Sequence, residues 1–362
     1  MKSHWEKESW LQPPDLLVVG GGIVGASTAL CYKQRYPDQS VWIAERGQIS
    51  PYGASTRNAG FACIGSVSEH LADMETAGKV TVQGRIARRW EGLKLLRNTM
   101  GDEEIGYRHT GGVEIFTDPE LYERCCSALP EMNEYLGKIT GIPDVYSKGA
   151  YEQLPAIFNK VEGALHSGKL MASLHNRCQQ SGVRTLWGAE VESVSSGEVR
   201  FRGGLNLNPH KTVIAVNGFL SDLVKTEVKP ARGYVFVTKE IPSLSWNGTF
   251  SFNEGYVYFR NIGDRLLLGG GRSASREAET TSEFGVNPVI KNYLLHFADE
   301  VLKLPAGWEI ETEWSGIMGM APDKEPAIVR QGETVWSVAG LSGMGIAIGM
   351  QVAREVVEKL GR

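Results

Sequence analysis

The sequence has no C-x-x-C pair and no H-x-x-x-H or comparable histidine spacing, so its five cysteines and seven histidines suggest no metal site. It has no long basic run, and its formal net charge is -4. That leaves no electrostatic footprint for nucleic acid or for an anionic membrane surface. No apolar stretch reaches the roughly twenty residues that span a bilayer. The two longest, residues 16–30 and 336–350, are shorter and are broken by turn glycines. Met1 to Trp10 carries charges of both signs and no apolar centre, unlike a secretory signal. An odd number of cysteines, two of them adjacent at Cys125 and Cys126, argues against a disulfide framework and for a reducing compartment. A soluble, cytoplasmic protein with no stable membrane insertion is expected.

What the chain does have is glycine, and its placement is informative. An apolar run over Leu16, Leu17, Val18 and Val19 breaks at Gly20, and Gly20, Gly22 and Gly25 then follow the G-x-G-x-x-G spacing as helical periodicity begins. The pattern predicts strand, tight turn and helix. The first glycine permits the turn, the second lets backbone approach a pyrophosphate, and the third lets helix pack on strand. The helix then presents its positive N-terminal end to the phosphates. A second strand, Val41-Trp-Ile-Ala-Glu45, ends in an acid about twenty residues past the last glycine, where a ribose hydroxyl is expected. Arg46 follows. By itself this clamp suits NAD, NADP or FAD.

The 362 residues suggest about two domains. After Glu45 comes a loop of small and hydroxylated residues, 51–63, that can lie flat against a ligand. Residues 69–97 read as one or two amphipathic helices, 111–117 as a short strand and 119–136 as a helix. Residues 151–166 read as irregular. The α/β texture returns with a helix over 170–180, short strands at 183–187 and 189–194, and a buried strand from Thr212 that ends at Asn217-Gly218. Residues 229–271 alternate in the manner of an antiparallel sheet, and 289–302 form a helix behind it. The C-terminal piece repeats the opening: a strand over 334–339, a glycine turn Gly340-Leu-Ser-Gly-Met-Gly345 and a helix from Ile346. It makes a second helix N-terminus available for an anionic group, and a reduced flavin is negatively charged on its pyrimidine ring. One clamp for phosphates and another for a ring favours a flavin over a nicotinamide.

These pieces resemble the glutathione-reductase-type FAD amine oxidoreductases, the group of D-amino-acid oxidase, glycine oxidase and sarcosine oxidase. The resemblance runs nearly end to end. It rests on Gly20 to Gly25, Glu45-Arg46, Gly53-Ala-Ser-Thr-Arg-Asn-Ala-Gly60, Ala189-Glu-Val191, Ala215 to Gly218, Pro230-Ala-Arg-Gly233, Trp314-Ser-Gly316 through Pro322-Asp323, and Gly340 to Gly345. Within it, the chain is most similar to the γ-glutamylputrescine oxidase-like branch. The implied fold is α/β: a Rossmann-like FAD-binding domain over 12–75, 160–228 and 310–362, and a mixed or antiparallel β-sheet substrate domain, flanked by helices, over 76–159 and 229–309. The implied cofactor contacts are Gly20, Gly22 and Gly25 at the pyrophosphate, Glu45 at the adenosine ribose and Val191 at the adenine, with Ile23, Val24 and Arg46 also among the cofactor-binding residues. Asn217 and Gly218 come close along the dinucleotide. Ser55, Thr56, Asn58, Ala59, Gly60 and Gly316 lie near the isoalloxazine, with Gly343, Met344, Gly345 and Ile346 at its pyrimidine edge.

Departures from the family narrow the substrate. Met318 stands where glycine-oxidase-like members hold a substrate carboxylate with Arg, and Ala347 where sarcosine-oxidase-like members use Lys. Glycine, sarcosine and D-alanine are therefore expected to be poor substrates. Arg57, Arg232 and Arg260 can clamp a carboxylate placed differently, or serve as scaffold contacts; Tyr258 and Met318 are further candidates for touching substrate. A lysine that assists oxygen reduction in some members falls near Leu267, and the covalent tethers of others fall at Asn58 and Gly316, so the FAD is expected to be noncovalent. The reading is hydride transfer from a C–N bond of a small amine or amino-acid-like substrate, then imine hydrolysis, with oxygen or another acceptor taking the electrons. A dehydrogenase serving a quinone or carrier protein, and a flavin-binding modifying or regulatory protein, stand as alternatives. His175 reads as a packed histidine and Cys63 as a small buried residue.

Overall fold

The computed structural model describes residue 1 and residues 3–361. Among them are seven α-helices: α1 (Ile23–Arg35), α2 (Val67–Ala77), α3 (Lys79–Met100), α4 (Pro119–Thr140), α5 (Ser167–Gln180), α6 (Pro288–Glu300) and α7 (Gly345–Leu360). The first apolar run becomes the strand Leu16–Val19, buried throughout because both of its faces are covered. Leu16 and Val18 join the core packed with α1 and α7. Leu17 and Val19 point the other way, onto Val199, Phe201 and Leu207 of a three-stranded sheet. The parent sheet has six strands, in the order Ala327–Arg330, Val335–Ala339, Lys211–Ile214, Leu16–Val19, Val41–Glu45, Arg184–Trp187. Its pairings are parallel except for the edge strand Ala327–Arg330. Val19 lies opposite Ile214, which in turn lies opposite Ser337. The glycine turn after Val19, the Asn217 turn and the Gly340 turn thus emerge together at the carboxyl edge, where doubly wound sheets bind ligands.

A second sheet has eight strands and is antiparallel except where Thr249–Phe252 runs parallel to Gly112–Ile115. Its side chains alternate between two destinations. Phe236, Phe250, Phe259, Leu266 and Leu268 pack on α6 through Leu294 and Phe297. Val235, Leu267 and Tyr258 face the opposite way, with Trp314, toward Ala59 and Phe61. This second face is the one turned to the loop at residues 54–61.

Three expectations need correction. Residues 151–166 are not irregular: Tyr146–Tyr151 and Leu154–Asn159 form a hairpin at the sheet edge, and Gly163–Ala164 pairs with Phe61–Ala62. The edge strand reads Tyr-Ser-Lys-Gly-Ala-Tyr and is mostly exposed, so it carries little apolar alternation. Ile310–Met320, expected in the cofactor domain, instead pairs along its length with Lys229–Thr238 in the eight-stranded sheet. And α3, expected with the substrate domain, lies against α7 in the core of the cofactor side.

The α3–α7 crossing is close because of a glycine. A Cβ at Gly92 would lie 2.1 Å from the Ala347 carbonyl oxygen, whereas one at Gly84, exposed on the same helix, meets nothing. Gly92→Ala is expected to destabilise the fold by about 1–3 kcal/mol, and Gly84→Ala to stabilise it by roughly 0.5–1 kcal/mol. Urea unfolding of the two variants checks the contrast in sign.

Candidate functional site

A cavity of about 530 Å³ opens at the carboxyl edge of the parallel strands. Gly20, with φ +102°, turns the chain there, and a Cβ would stand 2.7 Å from the Ala215 carbonyl oxygen. A Cβ at Gly25 would stand 1.9 Å from the Gly20 oxygen, so this glycine lets α1 start flush against the turn without itself lining the cavity. Gly20, Gly22, Ile23 and Val24 do line it. No side chain of the N-cap residue Gly22 caps α1, and its first turn has no acid. The same is true of α7, which begins beside Gly343, Gly345 and Ile346, all of which line the same cavity. Met344, the N-cap residue of α7, does not line it. Two positive helix ends therefore meet one cavity.

Polar side chains around the cavity hold backbone in place. Glu45 is buried; one carboxylate oxygen accepts from the Gly21 N–H at 2.7 Å, the other from the N–H groups of Gly47 at 2.7 Å and Tyr52 at 3.0 Å. It was expected at a ribose; it lines the cavity and also pins three backbone segments. Its lone pairs exceed those three donors, so acceptor capacity remains. Asn217, in the left-handed region at φ +46°, accepts from Gly340 N–H at 3.0 Å and ties the C-terminal glycine turn to the central strands. Gly218 lies under Met318, where a Cβ would sit 2.5 Å from the backbone oxygen. The Ser55 hydroxyl accepts from Ile23 N–H at 2.9 Å. Asn58 donates to the carbonyls of Ala54 and Ser55 and accepts from Gly60 N–H and the Ser167 hydroxyl, so its amide is fully used. Thr56 donates to Pro51, Ala59 is buried, and Gly316 lets the Arg57 stem pack on its strand. Of this loop group, Ser55 and Asn58 line the cavity, whereas Thr56, Ala59, Gly60 and Gly316 shape the walls behind it.

Arg46 is different. Its guanidinium lies over the rings of Tyr52 at 4.0 Å and Phe219 at 3.9 Å, and its Nη2 is buried with no acceptor. A buried, unpartnered cationic donor at a cavity wall calls for an anion. At the far end, Val191 lies between Glu190 and Glu192, and Arg202 pairs with both acids. Tyr52, Phe219 and Arg202 were not anticipated. Phe219 directly follows the Asn-Gly strand end, a signal that could have found it; Arg202 reaches the cavity only through pairing of the three-stranded sheet. His175 is packed as expected, with Nε2 2.8 Å from the Gly21 oxygen and its pKa lowered by burial.

The substrate candidates separate. None of Arg57, Arg232, Tyr258 and Arg260 lines the cavity; Arg232 is taken by Glu279 in a bidentate pair, 2.9 Å on each nitrogen, which makes it a scaffold contact. Arg57 donates to the Ser315 carbonyl at 3.3 Å and lies over Phe284 at 4.6 Å. Arg260 donates to the carbonyls of Gly60 and Leu165. Tyr258 meets Phe61 edge-on at 5.8 Å, and Met318 reaches the cavity. Among the described residues no group of His, Cys, Asp and Glu could hold a metal ion, and no helix is long and apolar enough to cross a membrane.

Residues 15–359 match the family model described as FAD dependent oxidoreductase. The chain belongs to that FAD dependent oxidoreductase family. FAD is accordingly its cofactor, and the positive starts of α1 and α7, the glycine cradle and the orphaned Arg46 nitrogen fit a dinucleotide with an anionic middle and a ring that gains charge on reduction. No curated protein matches the chain significantly in sequence. The chain is similar to solved structures over nearly its full length. Glycine oxidase from Geobacillus kaustophilus is 21% identical, with 96% of this chain and 95% of that one covered at a TM-score of 0.73. L-proline dehydrogenase from P. horikoshii is 18% identical, with 96% and 93% covered at 0.71. L-amino acid deaminase from Proteus vulgaris is 18% identical, with 96% and 94% covered at 0.70. At such identities these likenesses establish the fold alone.

Arg46→Met is expected to weaken FAD binding at least about tenfold, the loss of one charge-assisted hydrogen bond, with the far-ultraviolet circular dichroism unchanged. Quenching of flavin fluorescence on titrating the apoprotein measures it.

Proposed function

We propose that this FAD dependent oxidoreductase oxidises a C–N bond of a small amine or amino-acid-like substrate, with noncovalent FAD as hydride acceptor and water hydrolysing the imine product. The observation that carries the reading is the face of the eight-stranded sheet turned to the flavin loop. Val235, Leu267 and Ala59 are buried there, and Phe61, Tyr258 and Trp314 pack against them. Such a wall excludes water and disfavours a protonated amine, which cannot release electrons as hydride leaves. Relatives in structure point the same way: glycine oxidase, proline dehydrogenase and amino acid deaminase are each named for an amino-acid substrate.

FAD supplies the oxidising power when bound; the chain supplies position and dryness. Gly20, Gly22, Ile23 and Val24 would hold the pyrophosphate with Arg46, Glu45 and Val191 the adenosine, and Ser55, Asn58, Gly343, Gly345 and Ile346 the ring. Tyr258 cannot serve as a base near neutral pH, because burial pushes its phenol up to about 12. Its hydroxyl can only donate or accept a hydrogen bond. Leu267 is buried in the apolar wall where the resemblance offers a lysine for oxygen reduction in some members, an observation that favours a second reading with a quinone or carrier protein as acceptor. Five unpaired cysteines support a cytoplasmic location.

Anaerobic mixing with a panel of amines, polyamines, N-methyl amino acids and D-amino acids tests the reading. At least one amine should bleach the flavin, with glycine, sarcosine and D-alanine slow, and the rate should rise with pH as the amine loses its proton. Tyr258→Phe should stay within about fivefold of wild type, where loss of a general base would cost about 10²–10⁴. No bleaching by any amine would contradict the proposal. Mixing the reduced enzyme with oxygen then separates an oxidase from a dehydrogenase.

A further inference from the structure

Part of the cavity rim is held from outside by the eight-stranded sheet. Tyr52 lines the cavity and is 38% exposed, so it stands at the opening; Phe219 lines it too and is buried. The Arg46 guanidinium lies against both rings. A third ring, Phe284, meets Tyr52 edge-on at 5.1 Å and stands 6.3 Å from Phe219. It does not line the cavity but packs on two residues that do. The Arg57 guanidinium, from the loop at residues 54–61, lies over the Phe284 ring at 4.6 Å.

Phe284 is carried by the connection from the strand Arg265–Gly270 to α6. The base of this connection is firmly tied. Glu279 is 1% exposed; its carboxylate takes Arg232 in two hydrogen bonds of 2.9 Å and Asn287 Nδ2 in one of 2.8 Å, and its carbonyl accepts from Arg232 N–H at 2.8 Å. Asn287 caps α6, so both ends of the segment 280–286 meet at one buried carboxylate. The tip is held more lightly. It contains no helix or strand, and Glu283, Gly285 and Val286 are exposed around a half-buried Phe284. Besides the ring, Gly285 N–H donates to the Ser315 hydroxyl at 3.0 Å and the Glu283 carbonyl accepts from Arg232 at 3.3 Å. Gly285 itself, at φ +154°, supplies a bend that other residues rarely adopt. A segment with fixed ends and few buried contacts in its middle opens without disturbing the rest of the fold.

We propose that Phe284 is a latch on the cofactor cavity: its ring, seated on Tyr52 and Phe219, closes the rim beside Arg46, and FAD enters and leaves as residues 280–286 swing away from ends fixed at Glu279. Phe284 is thereby a positioning residue, acting on the cofactor site through the two rings it rests on. Bound FAD, by engaging Arg46, steadies those rings and so holds the latch shut. The inference requires FAD in the cavity and no particular substrate, so it stands or falls separately from the amine reaction.

Exchange of the cofactor tests the latch. Protein loaded with isotopically labelled FAD is chased with unlabelled FAD to give the release rate, and flavin fluorescence quenching on mixing the apoprotein with FAD gives the entry rate. Phe284→Ala should raise both rates at least about fivefold, the effect of losing one aromatic contact. Phe284→Tyr, which keeps the ring, should stay within about twofold of wild type, and Val286→Ala, an exposed neighbour, should change neither rate. In the unaltered protein, FAD loading should slow amide hydrogen exchange over residues 280–286 at least about fivefold; this measurement carries the test if Phe284→Ala does not fold. Faster release with unchanged entry would overturn the latch, because Phe284 would then only steady Arg46. Unchanged rates in Phe284→Ala, or no protection of residues 280–286 by FAD, would overturn it as well.

Discussion

The structure depends on meeting a diffuse negative charge with backbone. Two helices, α1 and α7, begin at one cavity without a cap from their own N-cap residue or a first-turn acid, and apart from Ile23 N–H, which the Ser55 hydroxyl takes, their terminal N–H groups and dipoles form the positive surface. Cationic side chains contribute little there: Arg202 is neutralised by Glu190 and Glu192, which leaves Arg46 as the unmatched guanidinium. A backbone site of this kind works only if the backbone is held still. Several buried polar groups do that. Glu45 pins Gly21, Gly47 and Tyr52; Asn217 pins Gly340; Asn58 folds the loop that lines the ring end.

The two ends of the cavity differ in what they can do. The glycine turn and Glu45 bind and orient. At the other end Ser55, Asn58, Ile317, Met318 and Leu341 line the cavity, and the sheet face of Tyr258, Leu267 and Trp314 packs behind the loop that carries Ser55 and Asn58, on Ala59 and Phe61. The eight-stranded sheet reconciles these demands by alternation: one face is packed on α6, the other is free to meet the loop at residues 54–61.

Local signals were legible in the sequence and tertiary ones were not. The glycine triplet predicted strand, turn and helix because each glycine answers to a contact within a few residues, and Gly340 to Gly345 repeated the logic. The pairing of Ile310–Met320 with Lys229–Thr238 was not foreseen because that partner lies some eighty residues earlier and no local pattern marks a partner. The hairpin at Tyr146–Asn159 was missed because an exposed edge strand need not alternate. Arg232, Arg260 and Arg57 looked alike in sequence; only Glu279, brought in from a distant loop, shows that the first is occupied.

The central claim is that one cavity holds both the phosphates and the ring of FAD, using both helix ends. Titrating the apoprotein in parallel with FAD, FMN and NADH, with flavin fluorescence quenching and competition as the readout, tests it most directly. Tight binding of FAD, much weaker binding of FMN, which lacks the adenosine proposed to lie at Glu45 and Val191, and no displacement by NADH is the predicted result. FMN binding as tightly as FAD, or NADH displacing it, would contradict the account.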